Sequence, residues 1–396
     1  MLVVLADDFS GAAEIGGIAD RFGLKTEIQM SFNAGTDAEL VVLDSDTRSM
    51  DEAEAIMKLK DICFALKSSH RPIKLFKKVD SVMRGHLIPE INVLQNHFRF
   101  ERVLLLPANP GRGRKIMNGH YFVNDVTLAN TVFATDPHFP VKTSDVSSIV
   151  KSRSSILPHE HVKAGDKLPS TVLITGDVQS KEDLNKYVRA STPRDLCCGA
   201  AELFESYLEN LGLAPRAGTM MEKNHLPYTL IVNGSTVRNP SDQELLDKLK
   251  ITQLALPGLV KENEFLLERA DSIRWYERIL HALNENHIAA VMIDQPVQPD
   301  KKFTQIFLHQ FIGMMQYITS CMKMNTIHFC LTGGETASAI MRNLIPGITR
   351  VKEEVVSGVV TLVTTDAAHN EIYCTVKPGS YPWPPAFIQR LAEHGN

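Results

Sequence analysis

Four short apolar runs, Leu2–Ala6, Glu39–Leu43, Ile73–Lys77 and Arg102–Leu106, alternate with stretches of helical periodicity, notably Asp51–Lys67 and Ile88–Phe98. Strands that are apolar on both faces and separated by helices fit a parallel sheet covered on each side, which predicts a doubly wound α/β fold. In such sheets ligands collect beyond the carboxyl ends of the strands. The residues there are Asp7-Asp8, Asp44-Ser45-Asp46-Thr47-Arg48, Lys78-Val79-Asp80-Ser81 and Pro107-Ala108-Asn109-Pro110. Four strand ends this rich in acids, bases and turn formers exceed what spacing alone would give.

The alternation continues through Thr171–Thr175 and the helix Lys181–Ala190, and then fades. Gly212–Pro227 is polar, holds Gly, Pro and Lys, and lacks apolar periodicity, so a domain boundary is expected there. The expected domains are residues 1–215 and 225–396, each a mainly parallel sheet with flanking helices and with the ligand cleft between them. In the second, Thr229–Asn233, Leu254–Leu256, Ala289–Asp294, Thr326–Leu331, Gly358–Thr364 and Ile372–Val376 read as strands. Ser241–Lys250, Ala270–Asn286, Lys302–Met324 and Thr336–Asn343 read as helices, and the Met- and Phe-rich Phe303–Met324 is core.

With 396 residues and 44% hydrophobic side chains the chain has ample material for a core, which excludes disorder as its dominant state. Its 42 Lys+Arg against 46 Asp+Glu give a net charge of -4, which argues against nucleic-acid and anionic-membrane partners but leaves room for a small anionic substrate. No apolar run nears the ~18 residues of a membrane span. Asp7 and Asp8 end a signal-peptide reading of the N-terminal apolar run. Six cysteines without a C-x-x-C pair read as buried free thiols, which suits a reducing cytoplasm. A homo-oligomer is compatible with all of this.

In Ala6-Asp7-Asp8-Phe9-Ser10-Gly11-Ala12 two carboxylates leave a buried strand at the mouth of a helix. One can hold a substrate hydroxyl and take its proton; equally, one can cap the helix while the other is solvated. A phosphatase nucleophile would need D-x-D-x-T, which is absent. Lys77-Lys78-Val79-Asp80-Ser81-Val82-Met83-Arg84-Gly85-His86 offers Arg84 for a carboxylate and Asp80 for a sugar hydroxyl, and Arg48 is a second carboxylate binder. Gly111-Arg112-Gly113-Arg114-Lys115 has the look of a phosphate cradle. No G-x-x-x-x-G-K-[ST] occurs, so a classical P-loop is absent, and without G-x-G-x-x-G a nicotinamide-dependent dehydrogenase lacks its fingerprint glycines. His159-Glu160-His161 lacks a third ligand at zinc spacing.

Downstream, Asn233-Gly234-Ser235-Thr236, Leu331-Thr332-Gly333-Gly334-Glu335-Thr336-Ala337 and Lys377-Pro378-Gly379 are three small-residue turns at strand ends of one domain. The glycines let backbone N–H groups approach phosphate oxygens at a helix start. Glu335 and Thr336 can orient a hydrated magnesium ion, or are simply first-turn helix residues. Together the turns point to a nucleotide.

These blocks resemble a known family. ADDFSGA is similar to the ADD-[LF]-TGA signature of the four-carbon acid sugar kinases, KKVDSVMRGH to K-K-T-D-S-T-L-R-G-N, and PANPGRGRKIMNGHYFVNDV to P-A-F-P-x-x-G-R-x-x-x-x-G-x-x-Y-V-N-G-V. NGSTVRN, LTGGETASAI and VKPGSYP follow in family order, like S-G-S-C-S-x-x, T-G-G-D-T-A-x-A and K-x-G-x-F-G. The resemblance implies an acid-sugar-binding N-terminal domain, a nucleotide-binding C-terminal domain, and phosphorylation of threonate, erythronate or a 3-oxo-tetronate by ATP with Mg²⁺. It puts Asp8, Arg48, Lys78, Val79, Asp80 and Ser81 at the substrate, where the residue chemistry adds Asp7 and Arg84, and Ser235, Gly333, Gly334, Glu335, Thr336 and Gly379 at ATP. Asp8 is the expected base, with Asp80 second. Val79, Val82 and His86 stand where the family has Thr, Thr and Asn, which is expected to alter hydrogen bonding beside the substrate. The alternatives are a kinase of another short polyhydroxy acid and a non-catalytic ligand-binding or regulatory protein on the same fold.

Overall fold

Leu2–Ala6 (β1) is buried along its whole length, as an apolar run at the centre of a two-sided sheet must be. The computed structural model describes every residue except 137, 154–156, 217–225, 235–238, 262–263, 267, 295–300, 345–346, 367, 380 and 394–396. The chain divides into two units, Met1–Ala217 and Gly218–Asn396.

In unit 1, β1 is flanked by β3 (Leu40–Asp44) and β4 (Lys74–Lys78), with Ala6 level with Asp44 on one side and Lys78 on the other. Outside β3 lies β2 (Thr26–Gln29), and beyond β4 come strands at Leu196–Gly199, Val103–Leu106, Leu173–Gly176 and His159–Val162. All these pairings are parallel. Helices α1 (Phe9–Arg21), α2 (Glu52–Lys67) and α3 (Leu87–Phe98) follow β1, β3 and β4. Asp51 starts α2 with a capping box to Glu54. Between Val103–Leu106 and His159–Val162 the chain makes a small antiparallel meander, Arg114–Met117, His120–Val123 and Val126–Thr127. The periodicity did not signal this meander, because its strands are short and half-exposed.

In unit 2 five strands are parallel: Thr252–Ala255, Ile288–Met292, Tyr228–Asn233, Ile327–Thr332 and Glu371–Lys377, in that spatial order. Val359–Thr365 and Thr349–Val356 extend the sheet antiparallel from Glu371–Lys377. The ends of three neighbours are level, Asn233 beside Thr332 and Thr332 beside Lys377, so the turns that follow them share one edge. Around Ile231, Leu246 and Cys330 the core gathers Trp383, Phe387 and Ile388 from the C-terminal segment. No helix among the described residues is long and apolar enough to cross a membrane.

Candidate active site

Because β3, β1 and β4 are adjacent, Arg48, Asp7-Asp8 and Lys78–Arg84 come together beyond one sheet edge. Asp8 is the N-cap of α1: Oδ1 accepts the Gly11 N–H at 3.0 Å and Oδ2 accepts the Ser10 hydroxyl at 2.5 Å. Arg48 donates Nε and Nη2 to the two oxygens of Asp7, at 2.9 and 2.8 Å, and places Nη1 3.0 Å from Asp8 Oδ2 and 3.8 Å from Asp80 Oδ1. Asp80 accepts Arg84 Nε at 3.0 Å and Nη2 at 2.9 Å, and also the backbone N–H groups of Val82 and Arg84. Lys78 Nζ lies 3.4 Å from Glu14 and donates to the Val79 carbonyl at 3.2 Å.

These contacts settle the charges. Burial pushes the Asp8 carboxyl up, but Arg48 and Lys78 outweigh it and hold it below its ordinary value. Asp80 is likewise pushed up by burial and then pulled well below the carboxylate range by Arg84 and Arg48. Burial disfavours the Arg48 cation, yet Asp7, Asp8 and Asp80 raise its pKa well above normal. Asp8, Asp80 and Arg48 are therefore held in their charged forms at neutral pH, with Asp8, Arg48 and Arg84 keeping some exposed surface, at 16, 18 and 30% of their side chains.

Two expectations change. Val79 and Val82 are 3 and 1% exposed, so their side chains belong to the core. Lys78 meets position 79 at its backbone carbonyl. The Gly111–Lys115 loop is not an open cradle either. Its Gly111 N–H is taken by Glu202 at 2.6 Å, and Arg114 donates to the Ser81 hydroxyl.

That last contact belongs to a set that the motif search missed. Tyr121 donates to the Ser81 carbonyl, Arg153 donates to the Gly85 carbonyl at 2.9 Å, and Arg84 reaches Asp136 at 3.4 Å and stacks over Phe133. The Ser81–Gly85 loop, where Met83 is left-handed at φ 64°, is thus held from outside by residues of the 114–153 segment. The GRGRK and GHYF blocks carried Arg114 and Tyr121, but nothing in their spacing said what they touch. Under the same loop, the ammonium of Lys77 pairs with Glu90 of α3 at 2.7 Å, both 1% exposed.

In unit 2, Gly333 is left-handed at φ 97° and leads into a helix, Gly334–Leu344, whose first turn carries Glu335 and Thr336. Gly234 packs so tightly on Thr336 that a Cβ there would sit 1.8 Å from its hydroxyl oxygen. The Thr332 hydroxyl, at the end of its strand, is buried with no hydrogen-bond partner among the described residues. A glycine turn, a helix N-terminus and an unspent buried hydroxyl at one sheet edge fit a phosphate group. Gly379 lies in the turn after Glu371–Lys377, at the same edge, and Ser235 lies outside the described residues. No cluster of three or more His, Cys, Asp or Glu among the described residues is arranged as a metal cage. A magnesium ion carried on nucleotide phosphates needs no more than one or two carboxylates, and Glu335 is an exposed carboxylate at the turn.

A family model described as the sugar-binding N-terminal domain matches residues 2–207. The chain is similar to a D-threonate kinase of Salmonella typhimurium, 30% identical over 40% of this chain and 38% of that protein. It is also similar to a 3-oxo-tetronate kinase of Brucella melitensis, 30% identical over 47 and 42% of the two chains. The matched stretch thus spans about two fifths of these relatives. A 3-oxo-tetronate kinase of Haemophilus influenzae aligns over 96% of this chain and 97% of its own, at 23% identity. Among solved structures, a Haemophilus influenzae protein matches with a TM-score of 0.73 at 17% identity over both whole chains. A Salmonella typhimurium LT2 protein matches with 0.75 at 16% over 98% of each. At such identities this likeness is one of fold.

Proposed function

The chain belongs to the family of the sugar-binding N-terminal domain, and from that premise we propose that it is an ATP-dependent kinase of a four-carbon acid sugar, threonate, erythronate or a 3-oxo-tetronate. The observation that carries the proposal is the Asp8 carboxylate, ionised, capping α1 and oriented by Ser10, Gly11 and Arg48. Residues 1–215 hold the acceptor acid and residues 225–396 the nucleotide, in a reducing cytoplasm that suits the five buried free thiols.

Asp8 accepts the proton of the attacking hydroxyl. Its low pKa suits a transition state in which the proton leaves late and positioning does most of the catalysis. Asp80 is the second candidate: it accepts four hydrogen bonds, two from the Arg84 side chain and two from backbone N–H groups, a heavier load than the Gly11 N–H and Ser10 hydroxyl at Asp8, and its assigned role is to position Arg84. Arg84, with Lys78 and Arg48 beside it, supplies positive charge for the substrate carboxylate. In unit 2 the turn at Gly333-Gly334, with Thr332 and Thr336, would hold nucleotide phosphates, with Gly379 at the same strand ends and Ser235 assigned to the nucleotide by the family pattern alone; Glu335 would bind Mg²⁺, which would supply neutralisation of phosphate charge.

The test is ATP consumption by the purified protein with Mg²⁺, against D- and L-threonate, D- and L-erythronate and their 3-oxo forms. Turnover with one acid is expected. Binding of ATP without turnover across the panel would move the reading to another polyhydroxy acid, and absence of ATP binding would overturn it.

A further inference from the structure

Unit 2 contains a pair of buried charges that no step above uses. Lys377, the last residue of its strand, is 0% exposed, and its ammonium lies 3.0 Å from Asp242 Oδ2. The same ammonium donates to the Tyr381 carbonyl at 2.6 Å and sits 5.3 Å from the centre of the Trp383 ring. Asp242, in the first turn of the helix Pro240–Lys248, uses Oδ1 to accept the Trp383 N–H at 2.6 Å. The Lys377 carbonyl in turn accepts the N–H of Gly333. Two side chains and one peptide group therefore join the start of the Pro240–Lys248 helix, the 381–383 segment and the glycine turn.

Energetics say that this is not a device for stability. Taking a carboxylate and an ammonium out of water costs about as much as their attraction returns, and an apolar pair of similar volume often does as well or better. Trp383, whose ring lies beside the ammonium, belongs to an apolar cluster with Leu246, Phe387 and Ile388, the kind of neighbourhood an apolar pair suits. What an ion pair with three directed hydrogen bonds adds is a single allowed geometry. The pieces it fixes include the Gly333 turn, which leaves the sheet where Asn233, Thr332 and Lys377 end level with one another.

We propose that the Lys377–Asp242 pair is a positioning strut for nucleotide binding, which ties the Pro240–Lys248 helix and Trp383 to the Gly333 turn and so holds the N-terminus of the Gly334–Leu344 helix in one orientation towards phosphate. The proposal rests on the nucleotide reading of unit 2. Lys377 and Asp242 themselves touch no ligand.

The test uses the full chain with ADP and Mg²⁺ as probe. In Lys377→Met, affinity for ADP measured calorimetrically should fall on the order of 10-fold or more, as misplaced binding groups do. D-Threonate affinity and the far-ultraviolet dichroism should stay at wild-type values. Amide exchange at Tyr381, at Trp383 and over residues 241–248 should rise in the same variant without nucleotide. Asp242→Asn keeps an acceptor for Trp383 but removes the ion pair, and it carries the test should Lys377→Met fail to fold. Wild-type ADP affinity in a folded variant, or unchanged exchange in both segments, overturns the strut. A wild-type protein that binds no ADP overturns the nucleotide reading itself, and the strut's role with it.

Discussion

The guanidinium of Arg48 grips Asp7 with Nε and Nη2, at 2.9 and 2.8 Å, while its third nitrogen reaches Asp8 at 3.0 Å. One side chain from the loop after β3 thereby fixes two consecutive acids at the end of β1. A lysine cannot reproduce a bidentate grip and a third contact from one nitrogen. Arg48→Lys should lower kcat/KM for the acid sugar by about 100-fold, and leave ATP affinity unchanged. Steady-state kinetics with a parallel ATP titration will read both, and an unaltered kcat/KM would remove Arg48 from the site.

Asp8→Asn keeps a helix cap, since asparagine caps as well as aspartate, but cannot accept a proton. Turnover should drop by about 10²–10⁴-fold, with ATP and acid-sugar binding retained. If turnover persists near the wild-type rate, the proton goes elsewhere.

The Lys77–Glu90 pair gives a stability prediction of a different kind. Burial disfavours the Lys77 cation, but Glu90 and Asp7 outweigh it and raise its pKa. Lys77→Met or Glu90→Leu alone leaves an uncompensated buried charge and should cost about 3–5 kcal/mol, whereas the double variant should recover most of it. Urea unfolding of the three variants checks this; a double variant as weak as either single one would contradict it.

His328 supplies a pH dependence. Burial, with help from Arg390, pushes its imidazole down to about 4 from 6.5, beside the Thr375 hydroxyl at 2.7 Å. The unfolded chain therefore binds this proton first. The contribution of His328 to stability is complete above pH 6.5 and is lost as pH falls from 6.5 towards 4, by ~3 kcal/mol in all. Both tryptophans, Trp275 and Trp383, lie in unit 2, so their emission during urea unfolding follows the relevant half. His328→Phe should flatten the slope between pH 6.5 and 5; an equal slope in both proteins would assign it to other groups.

The acid side holds a second prediction. Asp80 titrates well below 3.8 in the folded chain, so its contribution is present above pH 3.8 and is lost as pH falls below it. Asp80→Asn should be destabilised most at neutral pH, and its difference from wild type should shrink below pH 3.8. A constant difference would mean that the loss is one of packing rather than charge.

The parallel architecture was legible in the sequence because an apolar run buried on both faces leaves a strong signal, as at Leu2–Ala6 and Ile327–Thr332. Thr26–Gln29 and Thr349–Val356 left none: the first is polar although buried, and the second is only half-buried, so neither shows a clean period of two. The site was legible to the extent that adjacent strands carry it. Asp7, Asp8 and Arg48 follow, and Lys78 ends, strands that pair directly, and position in the sheet brings them together. Hydrogen-bond partners were not legible. Arg84 looks available in the sequence but chelates Asp80, and the clamp from Arg114, Tyr121 and Arg153 depends on a meander whose docking no local pattern encodes.

The capping bond from Asp8 to Gly11 has a consequence for how this chain could fall silent. Substituting alanine at position 8 would remove the oxygen proposed to take the proton, the brace of α1 and a partner of Arg48 at once, so inactivity would come with a looser fold. A copy that had given up chemistry while staying rigid would have to keep an oxygen there. Asparagine at position 8 is thus the signature by which a binding-only relative of this protein could be told from a broken one.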